Sequence, residues 1–130
     1  MTKKQPELTD AEWAIIKVVW AHAPCTAGTV QEELADDRNW AYSTVKTTMD
    51  RMVKKGFLDV TPLRNLQLFS ATIEPETAKR GELLRAVKRA FDGSLSPALQ
   101  LLMEENTLSP DELKELKSMI RKAERDERNR

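Results

Sequence analysis

Apolar residues recur at helical spacing through most of this chain, and one short stretch switches to the alternation typical of strands. The sharpest stripe lies in residues 42–58, YSTVKTTMDRMVKKGFL, where Val45, Met49, Met52 and Val53 fall at i, i+4, i+7 and i+8. Ser43, Lys46, Thr47, Asp50 and Lys54 fall on the opposite side. Short hydroxyls and basic groups on one helix face can reach base edges and phosphates without filling a groove. Gly56 supplies a stop, because glycine tolerates the left-handed conformation that ends helices.

Two helices are expected before this one. Thr9 and Glu12 have capping-box spacing, with Leu8 and Trp13 at the staple positions around the cap. Trp13, Ile16 and Trp20 repeat on one face, and the helix should end near His22, before Pro24. Thr26 can cap a second helix through about Leu34, with Val30 and Leu34 facing inward. Asp36 to Asn39 reads as a polar turn, and Trp40 as the anchor at the entry to the third helix.

Two strand-like runs follow, Phe57–Thr61 and Leu66–Ala71, joined by Pro62, Leu63, Arg64 and Asn65. Leu58 and Val60 alternate with polar residues, as do Leu66 and Leu68. The order of helix, helix, helix and hairpin predicts a winged helix-turn-helix over residues 1–73, in a mostly α chain with a minor β component.

After Thr72 the pattern is purely helical. Glu74-Pro75-Glu76 begins a helix with the stripe Leu83, Leu84, Val87 and Phe91, ended by Gly93. Ser96-Pro97 begins a Leu-dense segment, Pro97 to about Glu104. Ser109, Pro110, Asp111 and Glu112 begin another, with Leu113, Leu116 and Ile120 as its stripe and a charged tail from Arg121 that should fray. Each helix is amphipathic and too short to make a good core alone, so residues 74–130 are expected to bury their apolar faces on a second copy. The expected dimer face is Leu84, Val87, Phe91, Leu95, Leu99, Leu102, Leu113, Leu116 and Ile120.

Composition narrows the reading. The 130 residues carry 21 basic and 21 acidic groups, so any DNA-binding field must be local. The two parts are also balanced, 9 against 9 through Thr72 and 12 against 12 beyond it. Residues 42–58 do concentrate positive charge, with Lys46, Arg51, Lys54 and Lys55 against Asp50. One cysteine, Cys25, excludes an internal disulfide and fits a reducing cytosol. No apolar run approaches the ~20 residues that span a bilayer, and the N-terminal MTKKQPELTD lacks a signal-peptide core. A cytoplasmic protein without membrane insertion is expected.

Catalysis and cofactors find no support. His22 and Cys25 lie three apart, but a metal site needs more ligands, and the chain has no other His or Cys. No nucleophile and base are placed together. Trp13, Trp20 and Trp40 read as core anchors, and Met49 and Met52 as core fillers. The cations of residues 79–89 read as a solvated face. Arg51 could be a structural ion-pair residue, and Arg64 a solvated turn residue.

With reading helix, hairpin and Leu-rich tail in place, the chain resembles the penicillinase-repressor family, which includes the methicillin-resistance repressor. The resemblance rests on Leu8-Thr9-Asp10-Ala11-Glu12-Trp13 with Trp20, on Trp40 with Thr44-Val45-Lys46-Thr47, and on Arg51-Met52-Val53-Lys54-Lys55-Gly56. It also rests on Leu108-Ser109-Pro110-Asp111-Glu112-Leu113 with Glu115-Leu116. It implies a homodimeric repressor binding a palindromic operator in double-stranded DNA, through Tyr42, Ser43, Thr44, Lys46, Thr47, Arg51, Lys54 and Lys55 of the helix and Arg64 and Asn65 of the wing. It further implies release when a membrane sensor protease triggers cleavage in the dimerisation arm.

Two departures stand out. Family members cleaved in the arm have Asn-Phe at the cut, whereas the matching position here is Leu101-Leu102. The wing loop also lacks glycine. The competing reading is a winged helix whose same face docks a protein partner and does not read DNA.

Overall fold

The computed structural model describes residues 7–105 and 107–129; the N-terminal stretch inspected for a signal peptide lies outside them through Pro6. The described residues fall into two compact units, divided between Leu83 and Leu84.

In the first unit, α1 (Asp10–His22) starts at its capping box: the Glu12 amide donates to Thr9 Oγ1 at 3.2 Å, and the Thr9 amide to Glu12 Oε1 at 2.8 Å. Its buried face is Glu12, Ile15, Ile16 and Val19, not the row of Trp13, Ile16 and Trp20 that the sequence suggests. The tryptophans are half-buried and meet edge-on, ring centroids 6.1 Å apart. Indole carries an N–H that needs an acceptor, and Trp20 Nε1 finds one in the Ile73 carbonyl at 2.9 Å.

Helix α2 (Ala27–Glu33) is capped by Thr26, whose hydroxyl accepts from the Thr29 amide at 3.2 Å. The polar segment after it is not a simple turn. Residues Ala35–Arg38 form a one-turn helix, α3, ended by Asn39 at φ 47°. Acids Asp36 and Asp37 in its first turn and Arg38 in its last suit the helix dipole, and asparagine accepts the left-handed stop. Helix α4 (Tyr42–Lys55) follows and ends at Gly56, φ 86°.

The hairpin pairs β1 (Leu58–Leu63) with β2 (Leu66–Ala71), Val60 opposite Phe69 and Leu63 opposite Leu66. Pairing therefore runs through Pro62 and Leu63, and the turn is only Arg64-Asn65, shorter than the four-residue loop expected. Proline fits because of the ladder phase. The Phe69 amide and carbonyl both bond to Cys25, at 2.7 and 3.1 Å, and so point away from β1. Val60–Phe69 is thus a non-hydrogen-bonded pair, and so is Pro62–Gln67 two residues on, where the missing N–H costs no ladder bond. The inward residue of β2 is Phe69, not Leu66 or Leu68; those two lie with Leu63 on the outer face.

Helix α4 packs on α1 and α2, β1 on α4, and β2 on α1 and α2. Ile15, Ile16, Val19, Val30, Val45, Met49, Met52 and Phe69 are wholly inaccessible. Helix α5 (Pro75–Phe91) adds Ala78 to this core.

In the second unit α5 ends at Asp92 and Gly93, both left-handed. Helix α6 (Leu95–Glu104) begins ahead of the expected Pro97. Proline is at home in the first turn, where its missing N–H has no intrahelical partner to lose. Helix α7 (Pro110–Arg128) is capped by Ser109, which accepts from the Glu112 amide at 3.2 Å. The tail expected to fray stays helical through Arg128. Opposite charges four apart, Lys122 with Asp126 and Glu124 with Arg128, favour that continuation. Neither α6 nor α7 has a buried residue among those described.

Candidate nucleic-acid interface

Burial of Val45, Met49 and Met52 fixes the rotation of α4, which turns its polar side to solvent. Tyr42, Ser43, Thr44, Thr47, Arg51 and Lys54 are all exposed, and Lys46 is half-buried. The sequence-derived set on this helix, Lys55 apart, is therefore brought to the solvent side. No side chain caps the helix start at Ala41. Thr48, turned between the faces, donates its hydroxyl to the Thr44 carbonyl at 2.8 Å.

The cations of this face are not equivalent. Lys46 Nζ lies 2.8 Å from both carboxylate oxygens of Asp50, one turn on. The order lysine before acid is the less favourable one along a helix, and the pair is exposed, so it adds little to stability. Its consequence is chemical: Asp50 orients and partly neutralises Lys46.

Lys55 points elsewhere. Its ammonium lies 2.8 Å from Oε2 of Glu12, whose side chain is 2% exposed. Burial alone would raise the Glu12 carboxyl, but the hydrogen bonds from Lys55 and Thr9 and the Lys55 charge outweigh it and hold the group below the usual carboxylate range. Arg51, Lys54 and Arg64 have no ion-pair partner among the described residues.

At the wing tip Arg64 adopts φ 56°, a conformation that suits glycine or asparagine far better. Arg64 and Asn65 are exposed, and the flanking Leu63 and Leu66 are 54% and 53% exposed.

In the second unit Leu84, Leu95, Leu102 and Ile120 of the expected dimer face are exposed, and Val87, Phe91, Leu99, Leu113 and Leu116 are half-buried. Leu101 and Leu102 lie within helical α6, 48% and 42% exposed. The amide and hydroxyl of Thr107 close this segment by donating to the Leu102 carbonyl at 3.2 and 2.6 Å.

The sequence foresees Glu12 in the capping box but neither its ion pair with Lys55 nor the Lys46–Asp50 pair, although a signal for the first is present there. Glu12 precedes Ile15, Ile16 and Val19 by three, four and seven residues, which places a carboxylate on the buried stripe and demands a partner. Cys25 is buried, and burial pushes its thiol up, so it is an inert part of the sheet edge.

The comparisons with known proteins agree with this geometry. The penicillinase repressor family profile matches residues 8–122. The methicillin resistance regulatory protein MecI of Mammaliicoccus sciuri is 25% identical over 122 residues, covering 94% of this chain and 99% of the relative. The penicillinase repressor of Bacillus licheniformis is 26% identical over 118 residues, 91% of this chain and 92% of the relative. Among solved structures, the DNA-binding domain of the repressor BlaI matches with a TM-score of 0.50 and 29% identity, covering 58% of this chain and 93% of that one. The Bacillus licheniformis BlaI monomer bound to the blaP half-operator matches with the same figures. A buried-stripe reading helix ahead of a wing, and a profile match running through both units, establish that this chain belongs to the penicillinase repressor family, whose members are transcriptional repressors and not enzymes.

Proposed function

We propose that this DNA-binding repressor acts as a homodimer on a palindromic operator, each first unit reading one half-site with α4 and the wing, the second units joining the chains. The observation that carries the reading is the division of α4: an apolar side locked in the core, and an exposed side of hydroxyls and cations. Ser43, Thr44, Lys46 and Thr47 reach bases. Arg51 and Lys54 contact phosphates, and the uncapped start of α4, at Tyr42, suits another phosphate. Arg64, with Asn65 beside it, enters the minor groove or binds its phosphates.

The exposed leucines of α5 and α6, with Met119 and Ile120 of α7, support the pairing of second units, and they are the surface a second copy covers. Release comes from a protease of other specificity than the family's Asn-Phe cut, or from another signal, because Leu101-Leu102 stands at the matching bond. Cutting a helix requires local opening of its backbone. A sensor protease in the membrane is the partner in the first case.

Salt titration tests the reading. Three unpaired cations per head, Arg51, Lys54 and Arg64, give a dimer contacting about six phosphates, so log affinity should fall with log salt at a slope near −5. A slope near zero would instead support the docking of a protein on the same face.

A further inference from the structure

The buried end of the Glu12 side chain does more than cap a helix. One of its oxygens takes the Thr9 amide at 2.8 Å, and the other takes the Lys55 ammonium at 2.8 Å. Glu12 stands in the first turn of α1, and Lys55 is the last residue of α4. Forty-three positions separate them, so the contact is a tertiary tie between two helices and not a local one. The same end of α4 is held a second way: the Phe57 amide donates to the Met52 carbonyl at 2.9 Å, and the Thr72 hydroxyl donates to the Gly56 carbonyl.

A carboxylate placed on a buried stripe is costly unless it is paired and hydrogen-bonded. The capping bond from Thr9 accounts for one oxygen of Glu12, and Lys55, with its side chain 41% exposed, adds little stability of its own; what the pair supplies is a fixed separation between two helices. Ion pairs have a directionality that packing lacks: they fix where two elements meet. Base recognition by α4 depends on that placement, because a bidentate contact to a base edge tolerates little displacement.

We propose that Glu12 and Lys55 form a positioning clamp that sets α4 against α1, so that Lys55 serves sequence discrimination without touching DNA. The inference rests on the DNA-reading role proposed above. The cations of α4 then have separate roles, with Lys46 for bases, Arg51 and Lys54 for phosphates, and Lys55 for the frame that holds them.

The test uses the full chain and a duplex that the wild-type protein itself selects from a randomised library, with a scrambled duplex for comparison. Glu12→Gln, Lys55→Gln, the double variant and Lys55→Arg are compared at a temperature where melting curves show all of them folded. Glutamine at 12 keeps the acceptor for Thr9, and Lys55→Arg keeps the charge toward Glu12. The clamp predicts that Glu12→Gln and Lys55→Gln each reduce the ratio of selected to scrambled affinity by about 5- to 100-fold, the range of one lost base contact. The double variant should be no worse than the poorer single, Lys55→Arg should recover the ratio, and the salt slope should not change.

Three results overturn the proposal. If Lys55→Gln weakens both duplexes equally and flattens the slope by about 0.9 per head, while Glu12→Gln tightens binding, Lys55 is a phosphate ligand. If melting temperatures fall but the ratio holds, the pair is structural only. If the wild type enriches no sequence, the DNA-reading role fails and takes the clamp with it, an outcome distinct from wild-type discrimination that the variants retain.

Discussion

The two units of this chain solve the same problem in different ways. In the first, three faces of α1, α2 and α4 and one side of a hairpin close on each other around a continuous buried core, with Leu63 and Leu66 at the wing tip left exposed. In the second, α6 and α7 are as strongly patterned, yet no described residue in either is buried, and Leu95, Leu101, Leu102, Met103, Met119 and Ile120 stand exposed. One unit is a finished core. The other carries half of one. Apolar surface left in water is worth about 25 cal/mol per Å2 once covered, so the proposed pairing of second units would draw on these exposed faces.

The largest expected effect breaks this contrast from the second unit. Introducing Leu102→Glu with Leu116→Glu should convert a dimer to a monomer in sedimentation. Affinity for a duplex with two half-sites should drop by about 10^2- to 10^4-fold, the usual gain from linked binding. The melting of the first unit should stay where it was. A dimer that persists would show that the leucine faces serve another purpose.

Core truncations come next and should separate the units cleanly. Met49→Ala leaves a cavity under the reading helix and should cost about 2–5 kcal/mol of stability at any protein concentration. Leu116→Ala should show a cost that depends on protomer concentration, because the proposed dimer puts its partner surface on another chain. Melting curves over a dilution series distinguish the two behaviours.

Within the reading face the effects are smaller and differ in kind. Lys46→Ala should cost roughly 1–3 kcal/mol on the selected duplex and much less on a scrambled one. Lys54→Ala should weaken both about equally and reduce the salt slope by about one per head. Equal losses on both duplexes for Lys46→Ala would remove its base-reading role. Smallest of all is the wing tip. Arg64→Gly relieves a left-handed arginine and should raise the stability of the first unit by about 1 kcal/mol, while weakening DNA binding through the lost charge.

Much of the first unit was legible in the sequence because its signals are local. A capping box, a Thr cap, a stop glycine and a period of 3.6 place α1, α2 and α4 without knowledge of the fold. The errors came where tertiary context decided. Leu66 and Leu68 carry the apolar alternation of β2, yet Phe69, on the opposite face, is the residue the core takes. Asp36 to Asn39 looked like a turn because its residues are polar, but residues Ala35–Arg38 close one helical turn before Asn39 ends it. At the site, the exposed face of α4 could be read residue by residue, since exposure follows from the stripe. Lys55 could not, because its partner lies 43 positions away, and nothing local distinguishes it from Lys54.

The central claim is that one unit reads DNA and the other duplicates the reading. Selection of binding sites by the full-length chain from a randomised duplex library tests both halves together. The account predicts an enriched inverted repeat, its two half-sites centred about 10 base pairs apart or a multiple of that, so that both heads meet the same side of the duplex. Enrichment of a single unrepeated half-site would contradict the pairing of heads, and no enrichment at all would contradict the reading itself.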